Sequence, residues 1–335
     1  MARLCLLATS AEDPSARFRF GSYVEHFRRA GHRVEMITLP AGQRERVRLY
    51  STLRPAECVV LLRRLLQPWE TWWLRRAASR LVFEYDDAVL LRDTNRGAAP
   101  SAARTWKFAA LVRAADCVVA GSEHLAALAR PFRSDVAAVP TVVDPAAYPP
   151  REPHVETAPQ ASPVLGWIGT RPNLAYLESL AGSLVALAAD RPFTLRVMAD
   201  APPALPDLGR ARVSFVPWRV EDEARFLADL DVGLMPLADD AWCRGKCGLK
   251  ALQYMAARVP VVATAVGVAP ALIGPAGLVI RPGESWEPAL RRLLEDAPLR
   301  ERLGAEGRRR VEQAFSPEVW FERLEALYLA HGEEE

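Results

Sequence analysis

Lysine is nearly absent from this 335-residue chain. Of its 43 basic residues only Lys107, Lys246 and Lys250 are lysines, and asparagine occurs only at Asn95 and Asn173. A bias toward Arg and Ala of this kind is what GC-rich coding produces, so each lysine that remains is informative. Two of the three stand in one six-residue stretch, GKCGLK (245–250). Cysteine is also sparse. An odd set of five, scattered along the chain, excludes a disulfide scaffold and fits a reducing cytosol. Cys243 and Cys247 are separated by three residues, but no His lies within about 80 residues of them, which disfavours a zinc site. No apolar run reaches the roughly 20 residues that span a bilayer. The N-terminal apolar stretch is short and acidic residues follow it, so it reads as a first buried strand, not a signal peptide. A Gly-x-Gly-x-x-Gly after the first strand is missing, as is a Gly-x-x-x-x-Gly-Lys-Ser/Thr, which disfavours dinucleotide dehydrogenases and P-loop enzymes.

What is present is a globular composition, 50% hydrophobic and 25% charged, long enough for about two domains. Net charge is +2, unevenly placed: residues 1–150 carry +7 and the remainder −5. A basic N-terminal half suits an anionic acceptor or a membrane surface, or reflects Arg usage alone.

Apolar runs at 3–8, 58–62, 81–85 and 117–121 alternate with helical stretches, including one from about Ala16 to Ala30 that stops at Gly31. The proline-dense text from Pro140 to Pro163 reads as a linker. A second series follows, with strands at 164–169, 193–199, 212–217, 231–237, 259–264 and 277–280. Helices are expected over 173–188 and 246–257, with a last one from about 317 to 330. The rhythm predicts an α/β chain of two doubly wound domains, ligands binding at strand carboxyl edges. The boundaries expected are 1–150, 160–315 and a C-terminal helical segment, 316–335.

The densest chemistry lies in RGKCGLKALQYMAARVPVVATAVGV (244–268). A Gly-rich entry into a helix offers N–H groups and a dipole to a phosphate. On a helix starting at Lys246, that residue, Lys250 and Gln253 would share one face; an ordinary solvated basic face fits the pattern equally well. Thr170 and Arg171, after strand 164–169, can serve a phosphate too. Arg17 and Arg19 follow the first strand, as phosphate or acceptor contacts or as plain surface charge. Asp86 and Asp87 follow LVFEY, as groups that orient an acceptor hydroxyl or as turn and cap residues. His124, opening a helix, could approach the cleft, though a structural role is the commoner one for a lone His. The segment 67–80 interleaves Trp69, Trp72 and Trp73 with Arg75, Arg76 and Arg80. Such a helix either packs its Trp onto the sheet, the favoured reading, or lies at a membrane interface.

The 244–268 stretch resembles the signature of the retaining glycosyltransferases of GT-B fold in glycosyl transferases group 1 (the GT4 group). Their pattern is Glu, seven residues, Glu, then Ala-Met-Ala-x-Gly-x-Pro-Val-Val. Aligned on Met255-Ala256 and Pro260-Val261-Val262, Gln253 stands at the second Glu, Gly245 at the first and Arg258 at the Gly. A sub-group carrying Gly-Lys-Cys-Gly-x-Lys-x-x-Gln-Tyr-Met-Ala is matched more closely. LGWIGTRPNLAYL (165–177), FEYDD (83–87) and the Ser15–Arg19 segment extend the likeness across the chain. The resemblance implies two Rossmann-like domains facing a cleft, the N-terminal one for acceptor and the C-terminal one for a UDP- or GDP-linked donor. It implies transfer to an acceptor hydroxyl with retention, in glycan, polysaccharide or glycolipid synthesis. Lys246, Lys250 and the N–H groups of Cys247, Gly248 and Leu249 would meet the diphosphate, with Gly169, Thr170, Arg171 and Trp218 in the donor site. Gln253 would take over the ribose contact, while Gly245 cannot replace the sugar-binding carboxylate. No metal or other cofactor is expected, and the nucleotide sugar is a co-substrate. The acceptor would be a glycan, a lipid-linked sugar or a small molecule. Nucleic acid is not an expected partner. The location expected is cytoplasmic, with peripheral contact to an anionic membrane as one option. A nucleotide-sugar epimerase of the same fold, and an inactive nucleotide-sugar-binding protein, are the alternatives.

Overall fold

The computed structural model describes residues 1–53, 56–149 and 162–330. The chain divides into two compact units. The first contains Met1–Val142, Asp240–Cys247 and the helix Pro317–Leu329; the second contains Val143–Asp239 and Gly248–Ser316. Each is a six-stranded, wholly parallel sheet with helical crossovers, so the fold is α/β with two doubly wound, Rossmann-like units.

In the N-terminal unit the strands are β1 (Arg3–Ala8), β2 (Arg33–Thr38), β3 (Cys58–Leu62), β4 (Arg80–Tyr85), β5 (Cys117–Ala120) and β6 (Val136–Ala138). They lie in the order β2-β1-β3-β4-β5-β6. The central strands read as continuous apolar runs because helices cover both faces: every residue of β3 and β5 is buried. Strand order reverses between β1 and β3, the point at which doubly wound sheets form a crevice at the strand carboxyl ends.

The C-terminal unit holds β7 (Val164–Ile168), β8 (Thr194–Ala199), β9 (Arg212–Pro217), β10 (Val232–Met235), β11 (Val261–Thr264) and β12 (Gly277–Ile280). Their order, β12-β11-β10-β7-β8-β9, is that of a dinucleotide-binding sheet, with the reversal between β7 and β10. These two strands pair only at Val232–Leu165 and Gly233–Gly166. Beyond that point the Tyr254 hydroxyl takes over. It accepts from the Ile168 N–H at 3.1 Å and donates to the Leu234 carbonyl at 3.2 Å. The Tyr254 ring lies on Gly233, where a Cβ would come within 2.3 Å of it. One tyrosine thus fixes the helix Leu249–Ala256 to the opening of the crevice.

Several elements differ from the sequence expectation. The helix expected over 246–257 starts three residues late, at Leu249–Ala256, and a separate short helix, Ala241–Arg244, capped by Asp240, precedes it. Gly248, at φ 74°, breaks the path between them. The 173–188 stretch is split into short helices at Leu174–Glu178 and Ala181–Ala188. Residues 240–247, expected in the C-terminal domain, fold into the N-terminal unit. Much of the proline-dense linker, 150–161, lies outside the described residues. Before it, Val142 packs in a core cluster of the N-terminal unit, and Val143 and Tyr148 are buried. Helix Pro317–Leu329 packs in the N-terminal unit, where Tyr328 stacks on Phe27. Among the described residues no helix is long and apolar enough to cross a membrane.

Candidate active site

In the C-terminal unit Gly169 and Lys250, with the Thr170–Arg171 turn beyond, stand at the β7/β10 crevice. Gly169 follows β7, and its N–H donates to the Met198 carbonyl at 3.0 Å. A Cβ at Gly169 would sit 2.4 Å from the Trp167 ring and 3.0 Å from Lys250 Cε. Backbone, indole and lysine stem are therefore in direct contact. Lys250 belongs to the first turn of helix Leu249–Ala256, and its ammonium lies 5.4 Å from the centre of the buried Trp167 ring. Thr170 and Arg171 form the turn beyond Gly169, both exposed, with the Arg171 N–H held by Asp200. Asn173 donates to the Thr170 hydroxyl at 2.8 Å and stiffens that turn. Helix Leu249–Ala256 starts without a side-chain cap, so its N-terminal dipole is not offset by a capping oxygen.

Gln253 is buried, and its amide donates to the Tyr148 hydroxyl at 3.2 Å. Trp218 follows β9, at the edge of the sheet, and its indole N–H donates to Glu223 at 2.8 Å.

Lys246 is not on the helix with Lys250. The break at Gly248 and the path of 240–247 place it in the N-terminal unit, its ammonium 5.6 Å from the Trp242 ring centre. The shared helical face expected of Lys246, Lys250 and Gln253 therefore does not form. Gly245 is packed against Ala88: a Cβ there would lie 2.7 Å from the Ala88 Cβ. That contact leaves no space for the carboxylate carried by the family pattern. Cys247 is buried, and its thiol donates to the Asp86 carbonyl at 3.2 Å. A Cβ at Gly121 would strike that sulfur at 2.5 Å. Burial pushes the thiol well above its ordinary value. All five cysteines are free and buried, and among the described residues no group of three His, Cys, Asp or Glu is placed to hold a metal ion.

Asp86 and Asp87 follow β4 at the carboxyl edge of the N-terminal sheet. Both meet Arg63, which sequence reasoning overlooked. Its guanidinium lies 2.7 Å from Asp87 and 3.5 Å from Asp86, and it donates to Ser15 at 2.5 Å. Arg63 sits at the end of β3 with φ 58°, a backbone cost that the three contacts offset. Desolvation raises the Asp86 carboxyl, and the nearby Asp87 charge adds to it while Arg63 opposes. A single arginine among many in the sequence carries no mark of this role; the only signal was its position directly after an apolar run.

Arg19 is a correction. It is only 2% exposed, bound to Glu84 at 2.5 Å and to the Val139 carbonyl at 2.8 Å. Tyr328 donates to the same Glu84. With its guanidinium buried on β4 and on the segment after β6, Arg19 is not placed to meet a phosphate, and it is Glu84 that links β4 to the C-terminal helix. Arg17, half-buried, stacks 5.1 Å from the Phe18 ring centre. His124 is exposed near the start of helix Glu123–Ala129. The Trp segment is also corrected. Trp69, Trp72 and Trp73 on helix Pro68–Ala77 are about half exposed, 48%, 53% and 47%, and so do not pack onto the sheet.

Two cavities stand out among the described residues. One of about 370 Å³ opens between the carboxyl ends of β1 and β3. The other, about 500 Å³, is an open groove along helix Glu287–Glu295, away from every strand end. Only the first has the position at which doubly wound sheets bind ligands.

Residues 162–296 match the family model for glycosyl transferases group 1. Over 113 residues, 32% of this chain, the sequence is 29% identical to the capsular polysaccharide biosynthesis glycosyltransferase CapM of Staphylococcus aureus. The match spans only 28% of that relative's length. Among solved structures, sucrose-phosphate synthase from Thermosynechococcus elongatus superposes with a TM-score of 0.75 at 18% identity, over 98% of each chain. Anabaena HepE, solved in complex with UDP-glucose, gives 0.72 at 15% identity over 99% of this chain and 100% of its own. WaaG, a glycosyltransferase involved in lipopolysaccharide biosynthesis, gives 0.70 at 17% identity over 99% and 100%. By fold the chain is similar to GT-B glycosyltransferases, and by sequence its C-terminal unit is similar to glycosyl transferases group 1.

Proposed function

We propose that this chain is a glycosyltransferase that moves a sugar from a UDP- or GDP-linked donor to an acceptor hydroxyl, with retention and without a metal ion. The observation that carries the reading is Lys250 in the β7/β10 crevice, inside the segment matched to glycosyl transferases group 1. The anion of the leaving diphosphate meets the Lys250 ammonium, the Arg171 side chain and the N-terminal dipole of helix Leu249–Ala256. Charge is thereby stabilised where it develops as the bond to the anomeric carbon breaks. A diphosphate oxygen takes the acceptor proton. Asp86 and Asp87, both engaged by Arg63, orient the acceptor edge and do not act as free bases. A donor of the UDP-glucose class is favoured by the likeness to HepE, a protein crystallised with that compound.

The protein works on the cytoplasmic side, and its Trp69–Trp72–Trp73 face lies against anionic lipid. Arg76, stacked 5.0 Å from the Trp72 ring centre, adds charge to that apolar face.

Donor turnover followed by proton NMR tests the assignment. UDP-glucose should be consumed only with acceptor, give an α-linked product, and react equally with a strong chelator present. Isomerised UDP-sugar without acceptor would indicate an epimerase, and binding without turnover an inactive sugar-nucleotide-binding protein.

A further inference from the structure

The cavity between β1 and β3 has an unusual charge balance. Its walls include Asp13 after β1, Arg63 and Arg64 after β3, and Arg104, Lys107 and Trp242. Four cations line it against one carboxylate. Arg63 is already matched by Asp13, Asp86 and Asp87. Among the described residues neither Arg64 nor Lys107 has an ion-pair partner. Arg104 gives its Nε–H to the Val89 carbonyl at 2.8 Å and, among the described residues, forms no ion pair. Burial lowers its basicity and the nearby Arg96 charge lowers it further, while Asp93 opposes them only in part. Like charges gathered around one concave space repel each other in the empty protein and are relieved when an anion enters. Two of the three cations, Arg104 and Lys107, project from one turn of helix Ala102–Ala114, and the third from the loop after β3. They therefore approach the cavity from two elements, as a clamp does.

The same cavity has a flat apolar wall. Trp242 is half-buried on the core of this unit and presents indole to the space. A ring plane beside cationic groups suits a sugar face next to a negative substituent. The volume, about 370 Å³, is within the roughly 300–1,000 Å³ of small-molecule sites.

We propose that this cavity is an acceptor site for a sugar that carries a phosphate or carboxylate, with Arg64, Arg104 and Lys107 holding the anion and Trp242 the ring. The proposal deepens the glycosyltransferase reading and rests on it for the word acceptor; the anion site itself does not.

The test is calorimetric titration of the full-length protein, saturated with UDP, by glucose 1-phosphate, glucuronate and methyl glucoside. The two anionic probes should bind at least tenfold more tightly than the neutral one and weaken steeply as salt rises. An Arg64→Gln, Lys107→Gln double variant should lose tenfold or more for the anionic probes while its UDP affinity stays unchanged. A sedimentation arm with phosphatidylglycerol vesicles separates the sources: loss of vesicle binding in the double variant assigns a lipid-borne phosphate, its retention a soluble one. Equal affinity for methyl glucoside and glucose 1-phosphate overturns the proposal. So does a fall in UDP affinity as large as that for the anionic probes, which would assign the cations to the donor. If UDP fails to bind the wild type while glucose 1-phosphate binds and depends on the cations, the transferase reading fails and the anion site stands.

Discussion

The Lys250 ammonium lies 5.4 Å from the ring centre of Trp167, and the backbone of Gly169 closes over both. The cation is therefore placed by packing that a single methyl group would disturb. Gly169→Ala puts a Cβ 2.4 Å from the indole, which must move, and the lysine stem with it. The expected outcome is a protein that folds but binds UDP about tenfold or more weakly, checked by titration alongside circular dichroism.

Gly245 occupies the position of a family carboxylate, yet restoring that acid should not restore any function. The Cβ alone would press on Ala88 at 2.7 Å. Gly245→Glu should cost about 1–3 kcal/mol by overpacking and lower Tm in calorimetry. A variant with unchanged Tm and higher transfer activity would show that the 240–247 segment adapts.

Buried thiols make stability fall at high pH. Burial pushes Cys117 up to about 11 and Cys58 up to about 12, from an ordinary 9.0. The stabilisation is complete below pH 9, where both states keep their protons. Above it the unfolded thiols ionise first, so stability drops by about 1.4 kcal/mol per pH unit per thiol until the folded values are reached. Urea midpoints at pH 8 and pH 10.5 should show this decline, and a Cys58→Ala, Cys117→Ala variant should decline less steeply.

The half-exposed Trp69, Trp72 and Trp73 should insert at a lipid surface. Binding to phosphatidylglycerol vesicles should weaken with salt but not vanish, because apolar insertion is not screened. Replacing all three by Ser should abolish the salt-resistant part. A wild-type protein that stays in the supernatant at low salt would leave this face without a membrane role.

The parallel architecture was legible because buried central strands are continuous apolar runs, as in CVVLL and CVVAG. The site was legible only in part. Offsets of four and seven residues placed Lys246, Lys250 and Gln253 on one helical face, but φ 74° at Gly248 overrode that period. Arg19 and Arg63 look alike in sequence. One is buried against Glu84 and the other clamps Asp86 and Asp87, a difference set by tertiary partners alone. Arg258 shows the reverse case. It stands at the family Gly and takes φ 59°, so the backbone keeps the glycine conformation although the side chain changed.

Binding of UDP by Lys250→Ala protein is the most direct measure of the account. A charge-assisted contact to phosphate contributes about 1.5–3 kcal/mol. Wild-type protein should bind UDP or GDP by calorimetry without added metal, and Lys250→Ala should weaken that binding roughly tenfold or more. Equal affinity of the variant and the wild type for both nucleotides would contradict a diphosphate site in the β7/β10 crevice.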